Sequence, residues 1–326
     1  MHRLSFAAAR HLHKQFTLVS LAPLFSHADI SRIEALDKPH DERGTNLVVV
    51  KMYEAARARA LQADAALARG ESWGRLHGVP MTVKENFAIK GVQTTCGNLR
   101  YATLSDGEPY KPDINATVVD RVLAEGAIIM GKTNLPTDAA DMQSYNEVYG
   151  TSRNPWNLEC TPGGSSGGSA GAVAAGFTPF EIGSDIGGSI RTPCHFSGVC
   201  GHKPTQAAID KFGMCPPYPL SMHQEDLAVA GPICRSADDL ALMLDILSGP
   251  DPHKEKNGWS LHLPAPTVTT VQELRVAVWE DDEARGGEVE AEYALHLAST
   301  PRRFHLRRPY VSGAGTKLQS VPQLRV

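Results

Sequence analysis

Three side chains in this sequence have the types and order that nucleophilic catalysis needs. Lys84 ends a short apolar run, Ser165 lies in TPGGSSGGSAGAVAAG, and Ser189 lies in FEIGSDIGGSIRTPC. A serine hydroxyl is a weak nucleophile until a base takes its proton, and a lysine serves as that base only when burial destabilises its ammonium form. The second glycine-serine cluster supplies what such a nucleophile requires around it. Gly187 and Gly188 carry no Cβ to block a carbonyl, and consecutive N–H groups in a tight turn converge as an oxyanion hole, with Ser189 at the turn's end. Ser165 then sits between Lys84 and Ser189 as a proton relay.

Other readings of the first cluster compete with this one. A flexible linker separates domains, whereas Gly163 to Ser169 is held between a tryptophan-containing loop and the small apolar run Ala170–Ala175. Gly164-Ser165-Ser166-Gly167-Gly168 also matches the nucleophile elbow G-x-S-x-G. That motif needs a strand leading into it, and NPWNLECTP, with two prolines, is not one. A phosphate loop lacks its Gly-Lys-Ser/Thr. Cys194-His195 suggests thiol chemistry only superficially, because a catalytic Cys and His meet in space rather than in sequence.

The elements that must position these residues read as α/β. Residues 49–70 are rich in Ala, Arg, Leu and Glu and end on glycine, which predicts a helix over that span. Val79–Val83 is a short strand that delivers Lys84. A helix from about Ala116 stops at Gly126 and runs straight into a buried strand, Ala127–Met130. Ser236 and Asp239 form a capping box for a helix to Gly249, with Leu240, Met243, Leu244 and Leu247 on one face. LRVAVWED, from Leu274, alternates as a strand does.

Composition limits the classes. The 326 residues are 42% hydrophobic and 21% charged with a net charge of -4, which favours a globular chain and small neutral partners over nucleic acid or an anionic membrane. No apolar run approaches the roughly 20 residues of a membrane span. The six cysteines show no C-x-x-C spacing and read as reduced thiols, and FTLVSLAPLF lacks a signal-peptidase-like cleavage site, so the expected location is cytoplasmic.

The run from Lys84 through GKTNLP, YNEVYGTSRNPWN, TPGGSSGGSAGAVAAG, GSDIGGSIRTP and GVCGHKPT resembles the amidase signature family of serine hydrolases. The resemblance implies an α/β fold, a mixed twisted sheet covered by helices on both faces. It implies Ser189 as nucleophile, Ser165 as a bridging serine on a cis peptide, and Lys84 as base; the interval between the two serines is the family's own. It further implies oxyanion donors from the backbone of Ile186, Gly187, Gly188 and Ser189, with Asp185, Arg191 and Ser166 in support.

No metal or organic cofactor is implied, and the expected partner is a small amide, with a homodimer open. The expected reaction is carboxamide hydrolysis to an acid and ammonia or an amine. QEDLAVAGP resembles the free-standing amidases more than the glutaminase component of the tRNA-dependent amidotransferase, while a non-catalytic binding member is the third reading. The expected organisation is an N-terminal segment, 1–27, a catalytic core, 28–282, and a tail, 283–326. From Pro301 to Val326 the tail has six basic and no acidic residues, and is expected to be aberrant or disordered and to leave the protein poorly soluble and weakly active.

Overall fold

The computed structural model describes residues 25–39, 44–104, 107–215, 227–250, 252–264, 275–277 and 305–307. The chain divides into two units, 1–261 and 262–326. In the first, the helices are α1 (Phe25–Leu36), α2 (Tyr53–Ala68), α3 (Leu99–Ala102), α4 (Thr117–Ala124), α5 (Gly167–Ala174), α6 (Arg191–Ser197), α7 (Ala237–Leu247) and α8 (Pro252–Lys256). Its strands are β1 (Val48–Lys51), β2 (Pro80–Lys84), β3 (Ile128–Thr133), the short pair β4 (Tyr145–Asn146) and β5 (Gly150–Thr151), then β6 (Phe180–Asp185), β7 (Cys200–Gly201) and β8 (Val229–Cys234).

Two hydrogen-bonded sheets carry the site. In one the order is β1-β3-β2, with β1 antiparallel and β2 parallel to β3, so that Lys84 lies opposite Thr133 and Val83 opposite Lys132. The other has the order β6-β8-β7, all antiparallel, and β6 lies beside β2. Strand alternation then distributes the apolar residues to two faces. Ile129 joins Met81, Val83, Phe180 and Ile182 under Val118, Val119 and Val122 of α4 and Met243, Ile246 and Leu247 of α7. Ile128 and Met130 join Ile30, Ile33, Ala56, Ala60 and Ala172, from α1, α2 and α5, on the other face. Each fully buried aliphatic side chain in these layers contributes about 1.5–3 kcal/mol by leaving water. Side-by-side sheets of mixed and antiparallel strands, with helices packed on both faces, give the α/β fold that the resemblance implies.

One expected helix starts late. Residues 48–51, expected in part as helix, form β1, because Val48, Val49 and Val50 are β-branched and find a free ladder edge on β3. The helix begins only at Tyr53 and ends on Arg69, followed by Gly70 at φ 77°. At α7 the Ser236 hydroxyl accepts from Asp239 N–H (3.1 Å) and donates to Asp239 Oδ2 (2.7 Å). This is a serine cap closed on its own hydroxyl rather than a full reciprocal box.

In the second unit β9 (Arg275–Ala277) pairs in parallel with β10 (His305–Arg307). The strand expected from Leu274 is β9. The expected tail includes β10, and the remainder of 283–326, like residues 1–24, lies outside the described residues. Among the described residues no helix is long and apolar enough to cross a membrane.

Candidate active site

β2 ends on Lys84 with all five of its residues buried, so the lysine's ammonium end is carried out of water by a strand whose other side chains belong to the core. What faces it is hydroxyl, three times over. Nζ lies 2.7 Å from Ser165 Oγ, 3.0 Å from Ser166 Oγ and 2.9 Å from Ser184 Oγ. Burial pulls the Lys84 pKa down to about 7, against the opposing pull of Cys96, Asp185 and Glu181. Hydroxyls suit both protonation states of the amine. Each accepts from an ammonium, and any of them can rotate to donate to a neutral nitrogen.

The first glycine cluster shapes this contact from the other side. The peptide Gly164–Ser165 is cis. Ser166 precedes α5, and the helix lies so close to the end of β3 that a Cβ on Gly168 would sit 2.4 Å from the backbone nitrogen of Asn134. Only glycine permits that approach. Ser144 Oγ donates to the carbonyl of Gly163 (3.1 Å) and accepts from Gly167 N–H (3.0 Å), pinning the loop at both ends.

The second cluster forms a turn between β6 and α6, organised by Asp185. Its carboxylate accepts from Gly188 N–H (3.0 Å) and Ile190 N–H (2.9 Å) and takes a two-pronged contact from Arg191, at 3.1 and 2.8 Å. Burial raises its pKa, but these donors outweigh burial and hold it below its ordinary value. Gly188 has φ 128°, a conformation that favours glycine. Ser189 is half-buried, and its carbonyl accepts from Ser166 N–H (3.0 Å), which ties the two serine loops together at the backbone.

The expected oxyanion donors separate here. Gly188 N–H is taken by Asp185, so this glycine closes the turn. Ile186, Gly187 and Ser189 spend no N–H on a hydrogen bond among the described residues, and nothing stands within 4 Å of where a Gly187 Cβ would be. Ile186 is 55% exposed beside them.

Two residues receive no role from the sequence alone. Ser184 is the third partner of Lys84 and also accepts from Asn86 Nδ2 (3.2 Å). Its signal is its place within GSDIGGSIRTP, beside Asp185 at the end of a buried strand. Glu181 is fully buried on the same strand, and an acidic residue within FEIGSD is a readable oddity. The Cys194 thiol is pushed by burial up to about 12, away from nucleophilic use. Among the described residues, no group of His, Cys, Asp or Glu is arranged to hold a metal ion.

Residues 30–299 match the sequence profile of the Amidase family, and the chain belongs to that family. It is 43% identical over 255 residues to the A subunit of the glutamyl-tRNA(Gln) amidotransferase of Azotobacter vinelandii, covering 77% of this chain and 48% of that protein. Among solved structures it is similar to a bacterial aryl acylamidase of the amidase signature family, with TM-score 0.62 and 32% identity over 74% of this chain and 46% of that one. The peptide amidase of Stenotrophomonas maltophilia is similar with TM-score 0.62 and 29% identity, over 80% of this chain and 50% of that one. The chain spans about half the length of these relatives.

Proposed function

We propose that the site hydrolyses a carboxamide through an acyl-enzyme on Ser189. The observation that carries this is the fully buried Lys84 amine, whose hydrogen bonds go to three serine hydroxyls. As Ser189 Oγ attacks the amide carbonyl, its proton passes to Ser165 Oγ while the Ser165 proton passes to the neutral Lys84 amine. The N–H groups of Ile186, Gly187 and Ser189 receive the developing oxyanion. On collapse the C–N bond breaks, and the proton returns from Lys84 through Ser165 to the leaving ammonia or amine. Water then attacks the Ser189 ester by the same relay, releasing the acid and restoring the serine. Asp185 and Arg191 hold the turn, Ser166 and Ser184 hold the lysine, and the step needs no metal or organic cofactor.

A free-standing amidase acting on a small amide is the reading favoured by the solved amidases. The identity to amidotransferase A subunits favours a second, a glutaminase that supplies ammonia within a complex. Incubation with a fluorophosphonate probe followed by peptide mapping tests the shared chemistry. Ser189 is expected to carry the label and Ser189→Ala to lose both label and turnover; more than trace turnover in that variant overturns the assignment. Hydrolysis of acetamide, benzamide, an amino-acid amide, a long-chain amide and glutamine then separates the two readings: a clear preference for glutamine over the others favours the glutaminase, and turnover of the others favours the free-standing amidase.

A further inference from the structure

The proposed reaction uses none of the six cysteines, all of which are free thiols. Two of them stand opposite each other. In the antiparallel ladder of β7 and β8, Cys200 is the direct partner of Cys234, and Gly201 is the partner of Ile233. Directly opposed residues of such a ladder put their side chains on the same face of the sheet. That face is the one under α7, where Cys234 packs with Phe180, Met243 and Leu247. Cys194 belongs to the other face: it packs with Ile233, and its Sγ occupies the space that a Gly201 Cβ would need.

The spacing of the opposed pair suits a disulfide. His202 N–H donates to the Pro232 carbonyl (3.1 Å) two rungs along, so Cys200 and Cys234 fall on a hydrogen-bonded rung. The Cα atoms of such a rung are about 5.5 Å apart, within the roughly 4.4–6.8 Å that disulfides span. Cys200 Sγ leans over the end of β8, where it donates to the Arg235 carbonyl at 3.8 Å. A turn about its Cα–Cβ bond is the movement that brings it to Cys234. The two thiols also differ in access. Cys200 is half-buried on the edge strand and open to a small reagent, whereas Cys234 is fully buried. Cys96 and Cys215, which share a cluster of their own, are both buried and offer no such entry.

We propose that Cys200 and Cys234 are a redox modification site, an accessible attacking thiol and a buried resolving thiol that a small-molecule disulfide converts to a disulfide across β7 and β8. The Cys200 thiolate attacks one sulfur of the reagent, whose S–S bond breaks. One small thiolate leaves, and Cys200 carries the other half as a mixed disulfide. The Cys234 thiolate then attacks the Cys200 sulfur, and the mixed S–S bond breaks as the new one forms and the second small thiolate leaves. The two leaving thiolates take up the protons that Cys200 and Cys234 lose. The protein pair thus gives up two electrons and two protons, and one small disulfide is reduced to two thiols. The new bond fastens β7 to β8 and with it the exit of α6, the helix that begins at Arg191 just after Ser189. The site stands apart from the proposed hydrolysis and does not depend on it.

The test incubates the folded full chain with oxidised glutathione, alkylates the remaining thiols and maps the peptides without reduction. A bond between Cys200 and Cys234 is expected in most chains, lost in Cys200→Ser, kept in Cys194→Ser and reversed by dithiothreitol. Cys234→Ser is expected to stop the reaction halfway, with glutathione held on Cys200. A wild type whose Cys200 stays open to alkylation, or ends on glutathione or on another cysteine, overturns the proposal. So does a bond that forms only when the chain is unfolded in urea. The wild-type map and Cys200→Ser decide the question even if Cys234→Ser does not fold.

Discussion

Two lysines on neighbouring strands, Lys84 of β2 and Lys132 of β3, are both fully buried, and burial lowers the pKa of each. Their surroundings differ in kind. Because Lys84 pairs with Thr133 and Val83 with Lys132, the two side chains leave opposite faces of the sheet. Lys132 Nζ donates to the carbonyl of Gln93 and to Thr94 Oγ1, each at 2.8 Å, and stands 3.9 Å from the Glu85 carboxylate. A carbonyl and a carboxylate can only accept, so this cage suits an ammonium. Lys84 is ringed by hydroxyls, which accept or donate, so its cage suits an amine that gains and loses a proton. Burial lowers both pKa values, so what distinguishes the two lysines is whether their hydrogen-bond partners can also donate.

The Glu85 cage serves the chain's geometry. Its carboxylate accepts from the N–H groups of Thr95 (2.6 Å) and Cys96 (2.7 Å) and from the Tyr149 hydroxyl (2.9 Å), fastening the segment after β2 directly behind Lys84. Lys132 thus holds the loop, whereas Lys84 meets only hydroxyls, as the proposed base would require.

The sharpest way to break this contrast is Lys84→Arg. A guanidinium does not deprotonate in proteins, so the variant is expected to be nearly as inactive as Lys84→Ala, with labelling of Ser189 lost at every pH tested. An active Lys84→Arg chain reduces Lys84 to an electrostatic support and erases the distinction from Lys132. Ser165→Ala probes the relay between base and nucleophile. Turnover is expected to drop by about 10² to 10⁴, while slow labelling of Ser189 continues because water substitutes imperfectly for the hydroxyl. Complete loss of labelling with the fold intact makes Ser165 indispensable rather than a relay.

The smallest effect on the chemistry belongs to Lys132→Met. Removing one member of a buried charge pair is expected to cost about 3 kcal/mol in urea unfolding. Labelling of Ser189 is expected to fall as pH drops through about 7, where Lys84 takes up its proton, and in the folded fraction that acid limb should stay where it is in the wild type. A limb that moves with Lys132 makes the two lysines one electrostatic system.

Much of the site is legible in the sequence because its chemistry is written in local runs. Lys84 at the end of an apolar strand, Ser165 and Ser166 before a helix of small residues, and Asp185 to Arg191 in a glycine turn each lie within one segment. The helices Thr117–Ala124 and Ala237–Leu247 are readable from their apolar spacing, and the strand that follows the first from its compact apolar run. Val48–Lys51 escapes such a reading because the alanine-rich helix beyond it dominates the local pattern, and the edge of β3 that makes it a strand is far away in sequence. Gly188 is expected from residue type to face a substrate, but the Asp185 carboxylate reaches back to its N–H, a distinction of direction that residue type does not carry.

The sequence by itself determined which residues are chemically able to act and in what order they come: a lysine, a serine pair, and a serine held in glycine before an arginine. It also carried both buried lysines without distinguishing their surroundings, and it carried Glu181 without saying what it would meet. Tertiary structure alone decided that Lys84 is enclosed by hydroxyls while Lys132 is enclosed by a carbonyl, a hydroxyl and a carboxylate, and that Glu181 meets the hydroxyl of Thr133. The reason is physical: a side chain's protonation depends on the groups within a few ångströms of it, and β2, β3, α5 and β6 bring those groups together from segments separated by as many as 100 residues.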